Sequence, residues 1–121
     1  MDAFENLDVW KRSCRLSADL YRTLDACRVY GYRDQVTRAA LSIPSNIAEG
    51  YERNSSREYM RYLGLAKGSC GELRTQLYIG IEAGLLDRER GFQFLGEAVE
   101  ISRMLQGLIR SIADRLAGQT E

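Results

Sequence analysis

The stretch Arg38–Arg53, with the sequence R-A-A-L-S-I-P-S-N-I-A-E-G-Y-E-R, contains the only proline of the chain and decides its fold. At 100° per residue its apolar side chains fall on two faces, which a narrow polar stripe separates. One face carries Ala39, Ile43, Ile47 and Gly50, the other Leu41, Pro44, Ala48 and Tyr51, and the stripe Arg38, Ser42, Ser45 and Glu49. A helix that is apolar on two sides is expected to pack on two sides, as in a helical bundle.

The remainder of the chain also has a helical pattern, because apolar residues recur every three or four positions. Asp34 and Asp87 are placed to cap the second and fourth predicted helices, and the S-S-R-E sequence at 55–58 opens the third. Gly31 and Gly84 are placed to end the first and third helices. The predicted helices cover about 7–28, 34–52, 56–83 and 88–116 of a single domain spanning 1–121, with a frayed tail at 117–121. Short connections predict an all-α, antiparallel up-down-up-down four-helix bundle.

Composition argues against several classes of protein. Of the 121 residues, 45% are hydrophobic and 28% are charged. The chain has no run of 18 apolar residues, which a transmembrane helix would require. The first residues lack the layout of a signal peptide, so we expect a cytoplasmic protein without membrane association. The chain contains no histidine, and Cys14, Cys27 and Cys70 have no C-x-x-C spacing. A zinc site and a Ser-His or Cys-His nucleophile pair are therefore not expected.

Three carboxylates lie near predicted helix seams, namely Glu49, Glu58 and Glu72. A di-iron bundle would require Glu-x-x-His pairs, and the chain has no phosphate-binding loop. We therefore expect no enzymatic activity, metal or cofactor, and a carboxylate-only magnesium enzyme is the least favoured alternative. In a second hypothesis, Arg38 and Arg53 meet these carboxylates in a partly buried polar network. The alternative to that network is a solvated face.

Basic residues are concentrated early in the chain, although its net charge is zero. From Lys11 to Arg38 there are seven basic and three acidic residues. This skew predicts a basic surface on the first helix, unless the run is only a solvated face. Its candidate nucleic-acid contacts are Lys11, Arg12, Arg15, Arg22, Arg28 and Arg33. Tyr30 and Tyr32 lie between Arg28 and Arg33. The two rings either stack on the bases of a single-stranded nucleic acid or pack on the end of the bundle.

Three glycines share one face of the third predicted helix, at positions 64, 68 and 71. Glycine costs about 1 kcal/mol relative to alanine in a helix interior, so a cluster of three requires a reason. We expect another backbone to come close to this face.

The sequence R-A-A-L-S-I-P-S-N-I-A-E-G at 38–50 resembles the signature of a bacterial four-helix bundle family, the 23S rRNA intervening-sequence protein family. The resemblance extends to F-E-N-L-D-V-W-K at 4–11, S-C-G-E-L-R-T-Q-L at 69–77 and M-L-Q-G-L-I at 104–109. The chain departs from the family pattern in its short connection at 29–33. The matching motif residues, interpreted as fold and assembly residues, are Arg38, Ser42, Pro44, Asn46, Glu49, Gly50, Glu58, Ser69, Glu72 and Gln76.

The resemblance implies a ring-like homopentamer with a central channel and no known enzymatic activity. Some members are encoded inside insertions within 23S rRNA genes. Related bundles are accessory proteins of diversity-generating retroelements, where they associate with a reverse transcriptase and nucleic acid. We therefore expect a non-enzymatic oligomer that binds RNA, another nucleic acid or a ribonucleoprotein partner. The alternative is a protein-interaction scaffold, such as an accessory subunit for a reverse-transcriptase-like partner.

Overall fold

The computed structural model describes residues 3–119, and over that span it is all-α, with four α-helices and no strand. A short 3-10 helix, Phe4–Asn6, precedes the first of them. The helices are α1 (Asp8–Thr23), α2 (Tyr30–Tyr51), α3 (Ser56–Glu82) and α4 (Arg88–Gln119). The predicted fold class and number of helices are confirmed. None of the helices in this span is long and apolar enough to cross a membrane.

The first helix is shorter than the sequence predicted. It ends at Thr23 rather than Arg28, because Leu24 leaves the helix with φ −92° and ψ 5° and buries its side chain to 1% exposure. The amide of Cys27 then bonds the carbonyl oxygen of Leu24 at 3.0 Å and closes a tight turn. Residues 24–29 therefore form the connection, and Cys27 does not lie on a helix.

The second helix begins one turn earlier than predicted. The amide of Arg33 bonds the carbonyl oxygen of Val29 at 3.0 Å, so α2 starts at Tyr30 and Asp34 lies inside it instead of capping it. Gly31 is also inside α2 and has no positive φ, so the prediction that it ends the first helix is wrong.

The caps of the third and fourth helices follow the sequence signals. The Ser55 side chain accepts a hydrogen bond from the Glu58 amide at 3.2 Å, and Asp87 Oδ2 accepts one from the Arg90 amide at 2.9 Å. Gly84, which was predicted to end the third helix, adopts φ 74°, a left-handed conformation that is typical of such ends. α3 therefore spans the residues predicted for it to within one position.

The last helix continues beyond its predicted end near residue 116. Ala117–Gln119, the first part of the tail that was expected to fray, is helical. The remaining two residues of that tail lie outside the described part of the chain.

The core is one apolar cluster to which all four helices contribute. Each helix packs on the next one in the chain, and α1 also contacts α4. α2 contacts both α1 and α3, but its second predicted face is only partly buried, because Leu41 on that face is 48% exposed. Its buried residues include Ala39, Ile43, Ile47 and Gly50 on one face and Pro44 on the other. The buried residues of α3 recur every three or four positions, as a helical pattern requires, and include Leu63, Ala66, Cys70, Leu73 and Leu77.

Close helix contacts occur at glycines other than the predicted three. At Gly50 an added Cβ would lie 2.6 Å from the Cβ of Tyr62, and at Gly80 it would overlap the Tyr32 hydroxyl group. At positions 64, 68 and 71 an added Cβ would meet no described atom within 4 Å. The backbone expected near those three glycines is therefore not supplied by residues 3–119 of the same chain.

Candidate functional site

Several motif residues hold α2 against α3. The hydroxyl oxygens of Ser42 and Ser69 lie 2.6 Å apart across the contact between the two helices. The side-chain amide of Asn46 donates to the carbonyl oxygen of Ser42 at 2.8 Å, and Gly50 permits the close approach of Tyr62. The Ser42–Ser69 contact and the close approach at Gly50 therefore pack α2 on α3, whereas the Asn46 bond lies within α2.

A second contact joins the start of α2 to the end of α3. Tyr32 Oη donates to the carbonyl oxygen of Gln76 at 2.7 Å, and burial raises the pKa of the Tyr32 phenol. Of the two interpretations of Tyr32, packing at the bundle end is therefore the one observed. The side-chain oxygen Oε1 of Gln76 is buried without a hydrogen-bond partner in the described residues.

The three candidate carboxylates have different surroundings. Glu49 pairs with Arg53 at 2.9 Å, and Glu58 accepts two bonds from Arg61 at 3.0 and 3.2 Å, which lower the pKa of Glu58. Glu72 is exposed and makes no ion pair within residues 3–119. No group of three Cys, Asp or Glu residues in that span is arranged to hold a metal ion. The carboxylate-only magnesium alternative therefore has no supporting geometry in this span.

Arg38 and Glu72 line an open groove of about 560 Å³ on the outer surface between α2 and α3. The lining is completed by Gln35, Thr75, Gln76 and Ile79. Although both charges border the same groove, neither has an ion-pair partner in the described part of the chain. Of the pairings suggested for Arg38 and Arg53, the one that forms is that between Arg53 and Glu49.

Large apolar side chains are exposed around this groove. Leu41 is 48% exposed, Leu65 46% and Ile79 54%. Leu65, Glu72 and Ile79 are seven residues apart, so they follow one line along α3. We call the surface formed by Arg38, Leu41, Leu65, Glu72 and Ile79 the outer α2–α3 face. It combines exposed apolar area with an unpaired charge of each sign.

One of the predicted nucleic-acid contacts joins two helices instead. Arg12 makes two charge-assisted bonds to Glu97 of α4, at 2.7 and 3.0 Å, and these bonds raise the pKa of the Arg12 guanidinium. Both side chains are about one-third exposed. Since 85 residues separate the two partners, no local sequence pattern indicated the pair.

The other predicted contacts divide into paired and unpaired groups. Arg22 pairs with Asp19, and Arg33 lies 3.5 Å from the carboxylate of Asp34. The remaining three are exposed and form no ion pair among the described residues: Lys11, Arg15 and Arg28. The basic surface of the first helix is therefore smaller than its sequence suggested.

Tyr30 points outward at the bundle end, in contrast to Tyr32. It is 52% exposed, and the guanidinium of Arg33 lies 4.8 Å from its ring centroid. This ring remains accessible for stacking, whereas Tyr32 is held in the contact between α2 and α3.

Comparison with known proteins identifies the family. A model described as 23S rRNA-intervening sequence protein matches residues 5–107. Among solved structures, the chain is similar to a protein of unknown function from the S23 ribosomal protein family of Bacteroides thetaiotaomicron VPI-5482, with 22% identity and a TM-score of 0.79. The similarity covers 84% of this chain and 97% of that chain, and it shows a shared fold. No curated protein gives a significant match. Since the family model matches most of the chain, the protein belongs to the 23S rRNA-intervening sequence protein family.

Proposed function

We propose that this protein is a non-enzymatic, self-assembling helical bundle that binds RNA or a ribonucleoprotein partner. In this proposal the four helices run up-down-up-down and the chains form a ring-like homopentamer in the cytoplasm. Three cysteines without a disulfide support a reducing compartment. The observation that carries the proposal is the outer α2–α3 face, where exposed apolar side chains surround unpaired charges of both signs.

The charges of the outer α2–α3 face favour a second copy of the chain as its occupant. Each copy offers one unpaired Arg38 and one unpaired Glu72, so the arginine of one copy can pair with the glutamate of the next. In the proposed ring Arg38 and Glu72 of one copy contact different neighbours, so the contact is head-to-tail and closes when the rotation between copies permits it. Leu41, Leu65 and Ile79 are about half exposed. Burying the exposed part of each side chain against another copy stabilises the assembly by about 1 kcal/mol.

RNA binding is supported by the exposed cations that remain unpaired on α1. Lys11 and Arg15 are four residues apart and share one face of the helix. One such pair binds phosphate weakly, but five copies in a ring multiply a weak contact through avidity. The name of the family refers to 23S rRNA, which agrees with an RNA setting.

A protein-interaction scaffold, such as an accessory subunit for a reverse-transcriptase-like partner, is the second candidate. It is favoured by the pairing of Arg12, Arg22 and Arg33 with carboxylates, which leaves less positive charge for phosphate. Tyr21 and Tyr30 are also exposed near the first connection, and tyrosine and arginine are enriched at the centres of protein interfaces.

Charge reversal tests the proposed assembly. Arg38→Glu is expected to reduce the native mass in light scattering to that of the 13.8 kDa chain, because two glutamates then face each other. The double variant Arg38→Glu/Glu72→Arg restores the pair and is expected to restore the mass. Lys11→Glu is the matched control, since it reverses an exposed charge away from this face. Full assembly of Arg38→Glu would contradict the proposal.

Fluorescence anisotropy with labelled single-stranded RNA tests the proposed ligand. We expect binding at 50 mM salt that weakens at 200 mM, because phosphate contacts release counterions. A lack of binding at 50 mM salt, or binding without salt dependence, would overturn RNA binding and leave the scaffold as the better candidate.

A further inference from the structure

A second basic surface lies along the outer side of the contact between α3 and α4. Two contacts fix how these helices face each other. Lys67 Nζ donates to Gln106 Oε1 at 2.6 Å, and the rings of Tyr78 and Phe92 meet edge to face with centroids 6.4 Å apart. At the other end, Arg57 borders a hollow between the start of α3 and the end of α4.

The outer positions between these contacts carry five cations, with Glu100 and Asp114 beside them on α4. On α3 these positions are every third or fourth residue from Arg57 to Tyr78, which share one face of the helix. On α4 they are every third or fourth residue from Phe92 to Ala113. We call this surface the outer α3–α4 seam. Its cations are Arg57, Lys67, Arg74, Arg103 and Arg110, and none of its positions holds Asp or Glu.

The positive charge of the seam is mostly uncompensated. Arg103 reaches Glu100 only at 4.0 Å, with its side chain 78% exposed. The other four cations form no ion pair within residues 3–119. Arg74 Nε is in addition a buried donor without an acceptor there. On α1, by contrast, Arg12 and Arg22 are paired with carboxylates.

The shape of the seam suits a polymer with exposed bases. Gly64, Gly71 and Gly96 lie along it, and an added Cβ at each would meet no described atom within 4 Å. Their missing side chains leave room for a strand to approach the helices. At one end, Tyr78 is 54% and Phe92 44% exposed. A cationic track with accessible rings is the combination that binds single-stranded nucleic acid.

We infer that the outer α3–α4 seam is a binding track for single-stranded nucleic acid, with phosphates on its cations and bases on Tyr78 and Phe92. The inference rests on the proposed function and moves its main ligand surface from α1 to α3 and α4. It is compatible with the proposed ring, because residues two positions apart on a helix differ by about 200°. Lys67 and Arg74 therefore lie nearly opposite Leu65 and Glu72.

The test compares two double variants of the full chain in anisotropy measurements with labelled oligouridylate. Arg103→Gln/Arg110→Gln removes two exposed seam cations, and Lys11→Gln/Arg15→Gln removes two exposed cations of α1. We expect the seam variant to bind about tenfold more weakly and the α1 variant, which removes a secondary contact surface, to lose only about twofold in affinity. Loss of two phosphate contacts is also expected to reduce the slope of log K against log salt by about 1.4.

A ring substitution separates stacking from charge. Tyr78→Ala removes an exposed ring and no charge, so we expect about fivefold weaker binding with an unchanged salt slope. Tyr21→Ala is its control, because it removes an exposed ring and no charge from α1, away from the seam. Circular dichroism of each variant confirms that the helices are retained.

Three results would overturn the inference. If the wild type fails to bind oligouridylate at 50 mM salt, RNA binding fails and the seam fails with it. If the wild type binds but the α1 variant weakens and the seam variant does not, only the seam is wrong. If polyglutamate displaces the RNA as efficiently as unlabelled oligouridylate does, the seam selects an acidic polypeptide rather than nucleic acid.

Discussion

Replacing Gly50 with alanine tests the close packing of α2 on α3. The new Cβ would lie 2.6 Å from the Cβ of Tyr62 and 3.2 Å from the carbonyl oxygen of Tyr59. Both of these atoms move only with the backbone of α3, so a side-chain rotation does not relieve the clash. The two helices must therefore separate by about 1 Å to reach the usual contact distance of about 3.5–4 Å.

The cost of this separation outweighs the better helix propensity of alanine. Overpacking a well-packed contact costs about 1–3 kcal/mol, whereas a change from glycine to alanine in a helix returns about 1 kcal/mol. Because two fixed groups of α3 oppose the new Cβ at Gly50, we expect a net loss of about 1–2 kcal/mol. For a domain of this size, such a loss lowers the Tm by about 4–8 °C.

Urea unfolding followed by circular dichroism measures the effect of Gly50→Ala. Gly107→Ala is the matched control, because its Cβ would meet no described atom within 4 Å, and we expect it to raise stability by up to about 1 kcal/mol. All variants are compared at equal protein concentration, since assembly adds to apparent stability. A midpoint for Gly50→Ala at or above that of the wild type would refute the packing described here.

Three further predictions concern a salt bridge, a buried hydroxyl and a buried thiol. Arg12→Met and Glu97→Gln are expected to couple by about 0.5–1 kcal/mol in a double-mutant cycle, and zero coupling would contradict the contact. Tyr32→Phe is expected to lower the unfolding free energy by about 1 kcal/mol because the bond to Gln76 is lost, and an unchanged urea midpoint would count against it. Burial raises the pKa of the Cys70 thiol from its ordinary 9.0 to about 11. Between these two pH values the thiol of the unfolded chain loses its proton while the folded one keeps it. The unfolding free energy is therefore expected to fall as the pH rises from 9.0 to about 11. Urea titrations across this range check it, and an equal fall in a Cys70→Ala variant would argue against this origin.

The fold was predictable where local signals agreed with long-range packing. The apolar spacing of α3 predicted its buried stripe, and Ser55, Gly84 and Asp87 marked helix ends that the structure confirms. The first connection was predicted wrongly because Gly31 and Asp34 are common at helix ends but are also tolerated inside a helix. The burial of Leu24, which depends on the other helices, decides where α1 ends.

The candidate surfaces were predictable only in part. Charge counting along α1 identified its cations, but the partner of Arg12 lies on α4 and is set by helix packing. The basic seam was not predictable from the sequence, because Lys67 and Arg74 belong to one helix and Arg103 and Arg110 belong to another. Neither helix is strongly basic by itself, and the surface exists only when the two lie side by side.

The native mass of the wild-type protein after nuclease treatment tests the central claim most directly. Light scattering is expected to give about five times the 13.8 kDa mass of one chain, the mass of the proposed homopentamer. A stable monomer of 13.8 kDa would contradict the proposed assembly, and with it the avidity on which the proposed RNA binding depends.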